Sequence, residues 1–295
     1  MYQKVTKFKQ HRKLSKHKVN RSKAGTAAII GFLSYFAILS ALPLYYMLVQ
    51  SFKPLDELWV FPPRFYVINP TLKNFTDLFS LMGNSTVPFM RYIFNTIFIT
   101  TVGTAGQVVF SSMCAYPLAK HDFPGAKIYF KVIIYSLMFS ASVTAIPAYL
   151  IVAKLGWIDT YLAILVPLLG NTLGLYLMKQ FMEQIHDSIL ESAKIDGAGD
   201  WFIFWKIVMP QVKSAWLTLI VFSVQSLWSL GGTPFIFSEH LKTLPYALGQ
   251  IVTAGIARAG VAGAVSVFMI LVPVIVFLLT QSNVIETMAS SGIKE

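Results

Sequence analysis

The chain has 295 residues, of which 55% are hydrophobic and 13% charged, with a formal net charge of +11 and a mean hydropathy of +0.62. A soluble globular domain carries about 25% charged residues, so these numbers disfavour a soluble domain and exclude a disordered chain. One Cys excludes a disulfide framework, and no Cys/His cluster has zinc-site spacing.

The charge is concentrated at the start. Residues 1–24 hold nine Lys/Arg, from Lys4 to Lys23, and no acid. The other 271 residues hold 15 basic and 13 acidic side chains. Such a tail suits nucleic acid or anionic lipid. A basic run just before an apolar span has a simpler role, fixing the cytoplasmic side of a membrane protein. Contact with membrane lipid is therefore expected and a nucleic-acid partner is not.

Six apolar stretches come near the length of about 20 residues that a helix needs to cross the hydrocarbon core. They run at about 27–50, 92–119, 128–152, 161–181, 215–232 and 262–281. The first exceeds the roughly 7–15 apolar residues of a signal peptide, so it is read as an uncleaved span. Six spans put both termini on one side. With the tail inside, the loops at about 120–127, 182–214 and 283–295 are cytoplasmic. Seventeen Lys/Arg then lie inside and seven outside, which agrees with the positive-inside rule. The expected fold is an all-α integral membrane protein with six transmembrane helices and cytoplasmic termini. Residues 1–24 form its basic tail and 25–295 its membrane domain.

Two outer segments are long. Residues 53–89 contain Pro54, Pro62, Pro63, Pro70 and Pro88, which preclude one continuous helix. Residues 233–261 contain Pro234 and Pro245 and are expected to form a short helix against the outer membrane face.

The central parts of all six spans lack Asp, Glu, Lys and Arg. Lys131 and Lys179 sit at span ends, where they can snorkel to the interface. Ion-coupled carriers place ionisable groups mid-membrane, so a secondary transporter is disfavoured. No phosphate loop is present, and none of the five His stands beside a Ser or Cys nucleophile in sequence. The chain is thus expected to be no enzyme and to hold no cofactor or metal. Energy for transport must come from another subunit.

The loop between spans four and five is the most informative. Residues 185–197 suit a helix that Asp187 or Ser188 could cap. Gly197 and Gly199 end it, and Pro210 starts or interrupts the next helical segment. Glu191 and Asp196 offer acceptors to basic groups of a partner. The run resembles the EAA loop of ABC-importer permeases, whose pattern is Glu-Ala-Ala, three residues, Gly, nine residues, Ile, one residue, Leu-Pro. Glu191, Ala193, Gly197, Ile207 and Pro210 match at that spacing. Ser192 and Met209 depart from it conservatively. The resemblance implies a coupling loop, at about 182–212, that docks into an ATPase subunit. Its docking residues would be Glu191, Ser192, Ala193, Asp196, Gly197, Ile207 and Pro210.

The resemblance covers about 25–295 and is strongest to maltose-type carbohydrate permeases. Asn95 near the start of span two belongs to it, as does the closing run from Gln281 to Met288, which is similar to an oligosaccharide-importing subgroup. It implies a multi-pass protein of the bacterial cytoplasmic membrane. The implied partners are a second, non-identical permease, two ATPase subunits that bind ATP and Mg, and an extracytoplasmic solute-binding protein. The implied substrate is an oligosaccharide. Alternatives are an importer of another solute such as phosphate or amino acids, an ion-coupled carrier, or a membrane scaffold.

Sugar sites combine polar groups with aromatic faces. Within the spans the candidates are Asn95, Gln107, Asn171, Gln225 and Trp228. Interhelical hydrogen bonding competes for the amides, and a place in the interfacial belt competes for Trp228. Gly170 and Gly174 form a small-xxx-small pair, read as close helix packing. Pro117, Pro147, Pro167 and Pro273 are read as span bends rather than gating hinges.

Overall fold

The structure is a computed structural model that describes residues 22–83, 87–253 and 258–292, with side chains described through Gln281 apart from Ala141. The basic tail up to Arg21, Lys294 and the side chains of the closing run beyond Gln281 lie outside the described residues. All regular structure among the described residues is helical. The chain divides into two units, residues 1–46 and 47–295. The first holds most of helix α1 (Lys23–Phe52), whose side chains up to Tyr45 are all exposed.

The second unit opens with the end of α1, then α2 (Leu55–Leu58) and α3 (Lys73–Gly83). The prolines keep this stretch from forming one helix, and buried polar groups fold it instead. Asn74 Nδ2 donates to the carbonyls of Ser51 (2.9 Å) and Lys53 (2.8 Å), and the Glu57 carboxylate accepts from the Ile68 and Asn69 amides. Those amide hydrogen bonds, that of Ile68 foremost, hold the Glu57 pKa below its usual value.

Next come α4 (Phe89–Lys120), α5 (Ala126–Ser136), α6 (Ala141–Lys154), α7 (Tyr161–Leu169) and α8 (Thr172–Glu183). The loop between spans four and five holds α9 (Asp187–Ile195), α10 (Asp200–Phe202), a π-helical segment (Ile203–Val208) and α11 (Met209–Gln211). The chain ends with α12 (Lys213–Trp228), α13 (Leu244–Val252) and α14 (Ala259–Gly292). Pro245 sits in the first turn of α13, which is the short helix expected in the second outer segment.

Among the described residues four helices are long and apolar enough to cross a membrane: Lys23–Phe52, Phe89–Lys120, Tyr161–Glu183 with its internal break, and Ala259–Gln281. The pair Asp200–Gln211 and Lys213–Trp228, bent by 79°, makes a fifth if it is one span. The stretch expected as span three is not one helix. It is α5 and α6, parted at 137–140, because Ser140 turns from the ladder to cap α6 by accepting the Ser142 amide (3.2 Å). Span four is parted in the same way at Gly170, where Asn171 caps α8 by accepting the Gly174 amide (2.9 Å).

Helix α4 is the central element, packed most closely on α8 and α12, and α12 packs in turn on α14. Gly174 makes the α4–α8–α12 contact possible. A Cβ there would lie 2.8 Å from Ser111 Oγ and 2.9 Å from Leu219 Cδ1. Gly170 lies outside both helices, so only one member of the small-residue pair works in packing. A core of Tyr116, Met178, Met182, Ile203, Phe204 and Val208 joins the end of α4 to α8 and the π-helical segment.

Candidate functional site

The segment 185–212 folds as a helix, a tight turn and a second helix. The α9 N-cap is His186, with no side-chain cap bond, so neither Asp187 nor Ser188 caps it. Its C-terminus closes on Gly197, whose φ of +83° suits glycine. The Gly197 amide reaches the Lys194 carbonyl (3.0 Å) and the Ala198 amide the Ala193 carbonyl (2.9 Å). This satisfies carbonyls that the end of a helix leaves open. Pro210 has no N–H to continue an α-helical ladder. Just before it the register widens, and the Met209 amide donates to Phe204 five residues back.

Ala193, Asp196, Gly197 and Ile207 line one open recess of about 470 Å³, together with Ala198, Gly199 and Phe202. Glu191, Ser192 and Pro210 are exposed but stand outside it. The Ser192 hydroxyl donates back to the Ser188 carbonyl at 2.8 Å. Three apolar side chains that sequence reasoning missed are presented here. Ile195 is 86%, Trp201 63% and Phe202 56% exposed. Their signal was available, as large apolar residues in a segment bounded by charges.

This surface is tied to α4. Lys120 Nζ lies 2.7 Å from Asp187 Oδ1 and also donates to the Ile185 carbonyl. The hydrogen bond and charge of Lys120 hold the Asp187 pKa below its usual value. Next along the chain, His121 faces Asp200 at 3.8 Å, and Lys194 meets the same carboxylate at 3.4 Å. Both halves of the loop are therefore held to the same end of α4.

The polar candidates divide between places. Gln107 and Asn171 come together, with Asn171 Nδ2 donating to Gln107 Oε1 at 3.1 Å beside the α7–α8 break. Gln225 is exposed along the groove between α12 and α14, while Trp228 Nε1 donates to the Met269 carbonyl at 3.0 Å. Both thus lie toward α14, away from the Gln107–Asn171 pair. Asn95 is fully buried at the other end of α4. Its Nδ2 donates to the His240 and Lys242 carbonyls, both at 2.8 Å, and its Oδ1 accepts from Tyr161 at 2.7 Å. Asn95 therefore anchors the 239–243 segment. Glu239 there is paired with Lys242 (2.7 Å) and Tyr92 (2.9 Å). Burial works against its carboxylate, yet these hydrogen bonds keep its pKa below the usual value. Among the described residues no group of His, Cys, Asp and Glu could hold a metal ion.

Comparisons place this arrangement among known proteins. The sequence profile described as "binding-protein-dependent transport system inner membrane component" matches residues 31–287. Protein LplC of Bacillus subtilis is 35% identical over 221 residues, covering 72% of this chain and 71% of that protein. The polygalacturonan/rhamnogalacturonan transport system permease protein YtcP of the same organism is 32% identical over 250 residues, covering 81% and 80%. Among solved structures, a bacterial ABC transporter involved in the import of the acidic polysaccharide alginate matches with a TM-score of 0.74 at 24% identity. The match covers 89% of this chain and 98% of that one.

Proposed function

This chain belongs to the family of binding-protein-dependent transport system inner membrane components, and on that premise we propose that it is the membrane-spanning subunit of an ATP-driven oligosaccharide importer. Polygalacturonan and rhamnogalacturonan transport by the relative YtcP supports the sugar reading. The chain crosses the bacterial cytoplasmic membrane six times with both termini inside, counting α5–α6 and α12 as spans. The basic tail and the excess of Lys/Arg in the inner loops support that orientation.

A second permease, two ATPase subunits and an extracytoplasmic binding protein complete the assembly. The single observation that carries this reading is the helix–turn–helix at 187–211, with its glycine turn and shallow recess. Ala193, Asp196, Gly197 and Ile207 receive the ATPase in that recess, Glu191 and Ser192 extend the contact, and Pro210 sets the direction of the second helix. ATP binding and hydrolysis stay with the partner and need no group of this chain. ATP-driven closure of the partner pulls α9, and the ties from Lys120 and His121 carry the movement to α4. A ligand can shift such an equilibrium only through contacts that differ between its states.

The test is Gly197→Arg, which fills the recess and puts a side chain where the turn needs glycine. The variant is expected to insert, to lose its ATPase partner on purification and to lose uptake. Unchanged uptake would sink the reading. Transport by the chain alone in liposomes, driven by an ion gradient without ATP, would favour a coupled carrier instead.

A further inference from the structure

Two helix breaks meet inside this chain. α5 ends at Ser136 and α7 ends at Leu169, and the hydroxyls of Ser136 and Thr172 lie 3.4 Å apart. Ser111 of α4 faces the same point, its Oγ 3.4 Å from the Asn171 carbonyl. Between them is a recess of about 300 Å³, closed further by Phe110, Cys114 and Leu175. In the proposed orientation, counting about 1.5 Å per residue from the inner ends of α5 and α8 puts both breaks about 15–17 Å deep. That is about the middle of a hydrocarbon core roughly 30 Å thick.

A break at this depth leaves the Leu169 carbonyl at the end of α7 without a backbone amide among the described residues, whereas the Ile134, Tyr135 and Ser136 carbonyls of α5 take the Leu137, Met138 and Phe139 amides. Each such group costs several kcal/mol in hydrocarbon, so irregular backbone survives there only inside protein or beside water. Among the described residues the breaks are not covered. Leu137, Met138, Phe139, Ser140 and Gly170 are all exposed. The Asn171 side chain is fully engaged in holding its break, with its amide on Gln107 and its oxygen on the Gly174 amide.

We infer that this recess is a water-filled section of the translocation path, in which Ser136, Thr172 and the Leu169 carbonyl hold the hydroxyl groups of a sugar. The inference rests on the importer reading and deepens it by assigning this chain its own sugar contacts. Asn171 and Gln107 are positioning residues that keep the break open. Phe110 supplies the apolar face on which a pyranose ring lies. Apart from the Cys114 thiol, no side chain lining the recess is ionisable. The site therefore reads hydroxyls rather than charge and takes neutral and acidic sugars alike.

Cys114 is the chain's single cysteine, it is exposed, and it lines this recess. It reports on the site without engineering. The full chain, assembled with its partners in inside-out membrane vesicles, is treated with a charged, membrane-impermeant methanethiosulfonate or with membrane-permeant N-ethylmaleimide. Cys114→Ser is the blank. The charged reagent is expected to consume the thiol, and Ser136→Phe, which fills the recess, to slow that reaction several-fold. Reaction with the maleimide alone, or with neither reagent, overturns the inference. Dextrin and oligogalacturonide, one neutral and one acidic, are then added to the same vesicles. Both are expected to slow labelling. Slowing by neither overturns the sugar contacts, and slowing by one alone overturns indifference to charge. ATP-driven uptake is measured in parallel on cells. A reactive Cys114 in a chain that supports no uptake would count against the importer reading and leave the aqueous recess standing.

Discussion

Lys120 and Asp187 lie 2.7 Å apart, nitrogen to oxygen, across the gap between the end of α4 and the first turn of α9. The lysine side chain is only 4% exposed while its partner carboxylate is 75% exposed. The buried partner therefore stands on the transmembrane helix and the accessible one on the loop. A displacement of α9 must either carry α4 with it or break this contact together with the one from Lys120 to the Ile185 carbonyl.

Lys120→Met is accordingly expected to uncouple the assembly. Leaving the Ile185 carbonyl without its donor costs about 1–3 kcal/mol of stability, the range for a lost buried hydrogen bond. The variant should still bind the ATPase and allow basal ATP hydrolysis, while sugar taken up per ATP falls. Lys120→Arg, which keeps the charge and the reach, should restore much of the ratio. Equal loss in both variants would argue for a purely steric role.

Asp159 predicts a dependence on pH. Its carboxylate accepts from the Ser238 hydroxyl and from the Ser238 (2.8 Å) and Phe237 (3.1 Å) amides. These bonds, the Ser238 hydroxyl first, hold its pKa below the ordinary 3.8. A lowered folded-state pKa means that the stabilisation is complete above the ordinary value and lost as pH falls through the folded one. The protection of the Phe237 and Ser238 amides from exchange, relative to the intrinsic rate at each pH, should fall under acid, and Asp159→Asn should flatten that response. Asn suits the position because φ there is +62°, a conformation it tolerates.

The two loop glycines should differ. Gly197 holds φ at +83°, so Gly197→Ala forces an L side chain into the left-handed region at a cost of about 1–2 kcal/mol. Gly199 has an ordinary φ of −73° and open space where a Cβ would stand. Gly199→Ala should leave the melting temperature of the purified complex unchanged while Gly197→Ala lowers it. Equal melting temperatures would remove the conformational argument.

Asn95→Leu tests the outer anchor. It deprives two carbonyls and the Tyr161 hydroxyl of their partner, at about 1–3 kcal/mol for each buried group left unsatisfied. Protease cleavage between residues 233 and 243 should become faster. If Asn95 instead contacted sugar, substrate affinity would change with no change in cleavage.

Composition and local pattern were enough for a good part of this protein. Apolar runs reported the helices because backbone in hydrocarbon must satisfy itself within each helix, so length and hydropathy are direct readouts. The spacing from Glu191 to Pro210 located the loop and its glycine turn, because a left-handed residue and a missing amide are properties of single positions. The rest depended on neighbours far apart in the chain. Asn95 and Asn171 look alike in sequence, yet one anchors the 239–243 segment through partners 66 to 147 residues away, and the other holds a helix break through the Gly174 amide three residues on and Gln107, 64 residues back. Gln225 and Trp228 lie toward α14 because of how α12 packs, which a spacing of three cannot reveal. Hydropathy does not register the breaks in spans three and four, because an interrupted apolar run is as apolar as a continuous one. Only the folded chain shows that the two breaks adjoin and that Lys120 lies buried against the start of α9.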